Sequence, residues 1–184
     1  MEGTLTMDGA PLKIGSAITD GSLLQTGADS LAEIVFADKN ILRIGPSASL
    51  TFRLQGLERS MDIQKGTVTA VLRKLDKAAG GQMKIRTPSL VAGVRGTSFC
   101  VWVNGAAPET YFCTCNGRIE FVPGGTQKSI IEEASHHEAL DFTGTGTDVK
   151  VSEPGPDANR RHTDADLESL AARIGEKMDW TKIE

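Results

Sequence analysis

The sequence predicts an all-β protein: an antiparallel sandwich or roll of short strands, with one C-terminal amphipathic helix. Short runs of Val, Ile, Leu and Thr alternate with turn residues at intervals of about 8 to 12 from Gly3 to Phe142, the spacing of sandwiches and rolls. Twenty glycines stand beside only 5% aromatic residues, so turns are frequent. Helical periodicity appears only near the C-terminus. A chain of 184 residues can bury a core as one domain with an appendage, here divided by composition into an all-β domain over 1–143, a linker over 144–161 and a helical segment over 162–184.

In order, Gly3-Thr4-Leu5-Thr6-Met7 alternates as a strand and Asp8-Gly9 turns it. Leu31 to Phe36 and Ile41 to Ile44 form a hairpin about Asp38-Lys39-Asn40, with Asn40 the residue suited to a left-handed conformation. Gly45-Pro46 stops that strand. Ser49 to Leu54 alternates with period two, and after a polar stretch Gly66 to Leu72 supplies the next strand. Residues 73–81 form a basic, glycine-ended loop, a solvated loop in the plainer reading and a contact for an anionic partner in the other.

The run from Thr87 to Phe99 is extended and apolar, and leads directly into Cys100. Gly93 and Gly96 permit a bend or a close backbone approach there. Arg95 is expected to hold that bend by bonding neighbouring carbonyls, with anion binding as the alternative. Cys100 to Val103 and Thr110 to Gly117 form a hairpin, and Arg118 to Val122 is the strand after it. At the end, Thr163 is an N-cap with Asp166 three positions on, and Leu167, Leu170, Ala171, Ile174 and Met178 repeat at helical spacing. These residues predict a helix of about four turns that packs on its own domain, partner binding being the other use of such a stripe. Trp102 reads as half-buried sheet surface, and Trp180 as a pin for the helix.

Net charge is −4 with a pI near 5.5, which leaves no basic footprint for nucleic acid. No window approaches the roughly 20 apolar residues of a membrane span, and the opening residues show no basic n-region followed by an apolar h-region.

The chemistry concentrates downstream, because all three cysteines and all three histidines follow the glycine-punctuated run. Pairing about the hairpin centre sets Cys100 opposite, or nearly opposite, Cys113, and Cys113 and Cys115 share a strand face. A one-residue slip would send Cys100 to the other side. Thiolate plus imidazole is the ligand set of zinc and of iron–sulfur centres, and softer copper accepts it too. The simplest closed site is tetrahedral Cys3His zinc from Cys100, Cys113, Cys115 and either His136 or His137, with His162 as an additional ligand. Adjacent histidines in a strand point opposite ways, so only one of His136 and His137 joins a given metal unless the backbone bends. A [2Fe-2S] cluster fits the same residues. Three other readings stay open: a disulfide between two of the cysteines, three buried reduced thiols with surface histidines, and a Cys-His nucleophile.

The run Thr87-Pro88-Ser89-Leu90-Val91-Ala92-Gly93-Val94-Arg95-Gly96-Thr97-Ser98-Phe99 resembles the signature of the FecR-like domain family. Further matches are Gly15, Ile18, Gly21, Leu24, Thr26 and Gly27, then Gly45-Pro46-Ser47 with Ser49-Leu50, then Gly66-Thr67-Val68. The likeness covers most of residues 3–122, with Lys39 standing where relatives commonly carry glycine. A subset of relatives combines a Cys-x-Cys with a His-His-Glu and a His-Thr-Asp, here Cys113-Thr114-Cys115, His136-His137-Glu138 and His162-Thr163-Asp164. The resemblance implies a non-catalytic periplasmic or envelope-associated module that signals or scaffolds by binding a protein partner. It also implies a further strand and a secretion signal or membrane anchor ahead of the point where this sequence starts.

Overall fold

A computed structural model describes residues 1–37, 39–55, 59–73, 81–126, 128–155 and 161–183. Asp38 of the hairpin turn, residues 74–80 of the basic loop and residues 156–160 of the predicted linker lie outside the described residues. The strands are β1 (Leu5–Met7), β2 (Ala10–Pro11), β3 (Leu23–Thr26), β4 (Ala32–Phe36), β5 (Asn40–Ile44), β6 (Ser49–Arg53), β7 (Arg59–Val71), β8 (Met83–Arg86), β9 (Leu90–Val94), β10 (Ser98–Val103), β11 (Glu109–Pro123), β12 (Ile130–Ala134), β13 (Glu138–Thr143) and β14 (Lys150–Ser152). One helix, α1 (Asp164–Arg173), follows them.

Two strands serve two sheets. The first half of β7 lies between β6 and β8, and its second half between β5 and β10. Likewise the first half of β11 lies between β10 and β13, and its second half between β9 and β12. The first sheet therefore runs β2-β1-β3-β6-β7-β8-β9-β11-β12, and the second β4-β5-β7-β10-β11-β13-β14. All described pairings are antiparallel except that of β7 with β8. The sequence expected a strand only from Gly66, but β7 begins at Arg59, because Met61 and Ile63 within the polar stretch are core residues. The two short strands predicted on either side of Gly117 are one strand, β11.

Glycine makes each crossing possible. Gly66 has φ +94° and Gly117 φ +121°, and both sit where their strand passes from one sheet to the other. At each, the inward parity flips. Met61 and Ile63 face the core before Gly66, and Val68 and Ala70 after it; Phe112 does so before Gly117, and Ile119 and Phe121 after it. A one-residue shift moves a strand's side chains to the opposite face, and the turn at glycine absorbs that shift. Between the sheets, ring contacts of 5.0–5.4 Å link Phe99, Phe112, Phe121 and Phe142 in series.

The bend predicted in the glycine-rich run carries the chain from β9 in the first sheet to β10 in the second, with Gly96 at φ +64°. Arg95 does not hold it: the side chain is exposed and makes no hydrogen bond to a described residue. Thr97 does, donating its hydroxyl to the Arg118 carbonyl (2.9 Å) while its own carbonyl accepts from Leu72 N–H (3.4 Å). Among the described residues of the β4–β5 hairpin the left-handed one is Ala37 (φ +46°), not Asn40. Asn40 is held in β5, its side-chain amide donating to the Phe36 and Ala37 carbonyls.

Helix α1 starts as predicted, with a reciprocal capping box between Thr163 and Asp166. It is ten residues long, shorter than the stripe suggested, because Gly175 at φ +71° ends it. Leu167, Leu170 and Ala171 are fully buried on the outer face of the second sheet, against Ile41, Val71, Cys100, Tyr111, Cys113 and Cys115. Ile174, Met178 and Trp180 extend this second core beyond the helix. Within the predicted linker, β14 adds an edge strand to β13. No described helix is long and apolar enough to cross a membrane.

Candidate metal centre

The hairpin register delivers the thiols. Cys100 of β10 lies directly opposite Cys113 of β11, as the pairing about the turn predicts. A register shift between Ser98 and Phe99 leaves Cys115 without a direct partner, so β11 bulges where it approaches its pivot. All three thiols are buried under α1, and no disulfide joins them.

The histidines arrive from two other places. His136 and His137 lie in the turn between β12 and β13, where His137 takes φ +48° and donates its backbone N–H to the Cys115 carbonyl (3.1 Å). The backbone bends there, so the two rings lie side by side with centroids 4.5 Å apart, and do not point to opposite faces. His162 immediately precedes the helix N-cap and is 5% exposed.

Four ligand atoms converge: the sulfurs of Cys113 and Cys115 and one nitrogen each of His137 and His162, all within 4.8 Å of one another. Cys113 Sγ to Cys115 Sγ is 3.7 Å, Cys113 Sγ to His137 Nδ1 3.6 Å, Cys115 Sγ to His162 Nε2 3.1 Å and His162 Nε2 to His137 Nδ1 3.1 Å. Ligands around one tetrahedral zinc, at its usual bond lengths, stand about 3.8 Å apart for two sulfurs, about 3.6 Å for sulfur and nitrogen and about 3.3 Å for two nitrogens. The four contacting pairs fall within about 0.5 Å of those separations, and the whole set lies within 4.8 Å.

Asp164, the first residue of α1, sets the tautomer of His137. Its Oδ1 lies 2.7 Å from His137 Nε2, and its Oδ2 lies 3.1 Å from His136 Nε2. A carboxylate at Nε2 keeps the proton there and leaves the Nδ1 lone pair facing the sulfurs. Trp180 covers the pair, its ring centroid 4.9 Å from that of His136 and 5.2 Å from that of His137.

The charges are arranged for a thiolate. Cys113 is pulled far below the usual thiol range, chiefly by the hydrogen bond from Cys115, with His137 and His162 adding to it against the cost of burial. Cys115 is pushed up by burial and by that same sharing. Burial lowers the affinity of His137 for a proton, but the sulfur of Cys113 and the Asp164 carboxylate together raise it.

Cys100 and His136 stand outside the four. Burial pushes the Cys100 thiol up to about 12, and it accepts a hydrogen bond from the Thr69 hydroxyl at 3.6 Å. His136 is half exposed and meets Asp164 and Trp180. The roles of Asp164 and Trp180 beside the histidines were not foreseen from sequence; the acidic residue two positions after His162 was the available signal.

A sequence model of the family described as FecR protein matches residues 22–120. No curated protein matches the chain. Two crystal structures of a "putative anti-sigma factor" from Parabacteroides distasonis ATCC 8503 share the fold, each with a TM-score of 0.59 at 12% identity over 74% of this chain. The chain spans 60% of those solved chains.

Proposed function

This chain belongs to the FecR protein family, and from that premise we propose that it is a non-catalytic binding module of cell-envelope signalling that carries a resident Cys2His2 zinc ion. The observation that carries the metal reading is the convergence of four soft and borderline donor atoms, from three separate parts of the chain, at the spacing of one coordination shell. Cys113, Cys115, His137 and His162 would hold the ion, which would act as a structural cross-link. Four protein ligands leave no open position for substrate, which supports a binding role over catalysis. A [2Fe-2S] cluster seats its ligands on two irons and needs them spread wider, so the compact set favours a single ion. The family and the anti-sigma description of the structural neighbour support a protein partner in the envelope and a periplasmic setting.

Metal analysis of protein purified without oxygen tests this. About one equivalent of zinc is expected, released by chelator together with a loss of thermal stability. Protein free of metal, with a melting temperature indifferent to chelator, would sink the reading; iron with acid-labile sulfide would replace zinc by a cluster.

A second reading rests on the register, which sets Cys100 and Cys113 directly opposite each other. Cα atoms at such a pair stand about 4.5–5.5 Å apart, within the range of a disulfide. Non-reducing mass spectrometry of the air-oxidised protein decides it.

Asp164→Asn is expected to weaken zinc binding by about 10–100-fold while leaving the stoichiometry unchanged, because the amide no longer fixes the His137 tautomer. Competition with a fluorescent zinc chelator measures it, and wild-type affinity would remove Asp164 from the supporting shell.

A further inference from the structure

We propose that the metal is a clasp: its binding docks the C-terminal segment 161–183 onto the second sheet, and its loss frees that segment and bares the sheet's outer face. The inference rests on the metal reading above and adds a regulatory consequence to it. Two of the four ligands belong to β11 and one to the β12–β13 turn, but the fourth, His162, immediately precedes the N-cap of α1. The carboxylate that orients His137 is the first residue of α1, and the indole packed against His136 and His137 lies beyond its end. The site thus joins the sandwich to the segment through a ligand, its supporting carboxylate and an aromatic cover.

The other contacts are dispersed along the segment: Ile174, Met178 and Trp180 pack on the second core, the buried Asn116 amide donates to the Asp179 and Lys182 carbonyls (3.0 and 2.9 Å), and Arg161 lies over the Trp102 ring. A helix of ten residues is too short to persist undocked. Its buried face is three side chains, Leu167, Leu170 and Ala171. Arg43 with Asp166, Arg173 with Glu33, and Lys39 and Arg73 with Glu176 tie it to the body, and each pair is partly exposed to solvent, which keeps its contribution modest. The main core between the sheets contains none of the ligands, so the sandwich survives release. The face uncovered includes Ile41, Val71 and Tyr111, all buried beneath the segment. An apolar patch of that kind is an interaction surface, and metal supply would govern its availability.

The test is hydrogen exchange on the full chain, zinc-loaded and zinc-stripped, with metal content measured on both samples. In the stripped protein the α1 amides are expected to exchange at least about tenfold faster, while β7 and β10 keep their protection. Linkage requires the converse: Leu170→Ala and the milder change Glu176→Gln, neither residue being a ligand, should each weaken zinc binding, by about 5–150-fold for Leu170→Ala. One equivalent of bound zinc with α1 protection identical in both samples overturns the clasp and leaves the metal site standing. So does wild-type zinc affinity in both variants, or loss of protection by both sheets together with α1. A wild-type protein that binds no zinc overturns the site itself and the clasp with it.

Discussion

Replacing Gly66 with alanine is expected to lower stability by about 4 kcal/mol, from roughly 1–3 kcal/mol for a side chain held at that backbone angle and roughly 1–3 kcal/mol for overpacking. Gly66 has φ +94°, and a Cβ built there would stand 2.5 Å from the Cα and the Cβ of Ala48. Neither is the loose end of a flexible side chain, so the chain between β5 and β6 must move or β7 must straighten. β7 cannot straighten without sending Val68 and Ala70 outward, because the parity flip at Gly66 is what turns them into the core. A domain of this size is stable by roughly 5–15 kcal/mol, so the variant loses a large share of its margin. Gly15→Ala is the control. Gly15 also has positive φ, +84°, but nothing stands within 4 Å of the place its methyl group would take, so only the strain of roughly 1–3 kcal/mol remains. Urea unfolding of the three proteins measures the difference; equal midpoints for Gly66→Ala and Gly15→Ala would mean that the crossing does not depend on glycine.

That pivot shows where the sequence was readable. Gly66-Thr67-Val68 was visible as the start of an apolar run, since Val68 and Ala70 alternate inward. The preceding half of β7 was not, because Met61 and Ile63 are flanked by Ser60, Asp62 and Gln64, and a polar-flanked pair gives no long alternation. The parity flip also breaks the period of two at Gly66 and Gly117, which made one strand look like two at Arg118. Helix α1 was legible at its start, where the capping box is local chemistry, and less so at its end. The apolar stripe runs on past Gly175 because Ile174, Met178 and Trp180 still pack on the second core without helical geometry. Arg95 shows the opposite failure: a charged residue in a tight bend invites a bonding role, yet the neighbouring threonine performs it.

For the site, strand pairing was enough to place three thiols on one face, since register across a short hairpin is nearly local information. Which thiols meet the histidines was not local information. Cys100 points to the same face as Cys113, but the histidines enter from the β12–β13 turn and from the helix start, nearer to Cys113 and Cys115. Only the tertiary fold sets that distance. The left-handed backbone at His137, which turns its ring toward the sulfurs, has no signature in a His-His-Glu triplet.

The ligand assignment therefore makes its sharpest prediction at the cysteines. Cys115→Ser is expected to reduce bound zinc from about one equivalent to near none, because a serine hydroxyl does not supply the thiolate that a Cys2His2 site uses. Cys113→Ser should do the same. Cys100→Ser should keep the full equivalent: Cys100 is outside the convergent set, its thiol is pushed up to about 12 by burial, and its sulfur accepts a hydrogen bond from the Thr69 hydroxyl. A Cys3His site built on Cys100 would show the reverse sensitivity at that position, with His162 expendable, so the pair Cys100→Ser and His162→Ala separates the two ligand sets. Retention in the first with loss in the second supports Cys113, Cys115, His137 and His162. Loss in the first with retention in the second would move the centre toward β10 and return the histidine before α1 to a packing role. Comparing metal content at matched circular dichroism spectra keeps the result independent of stability, since every variant that is still folded reports on coordination alone.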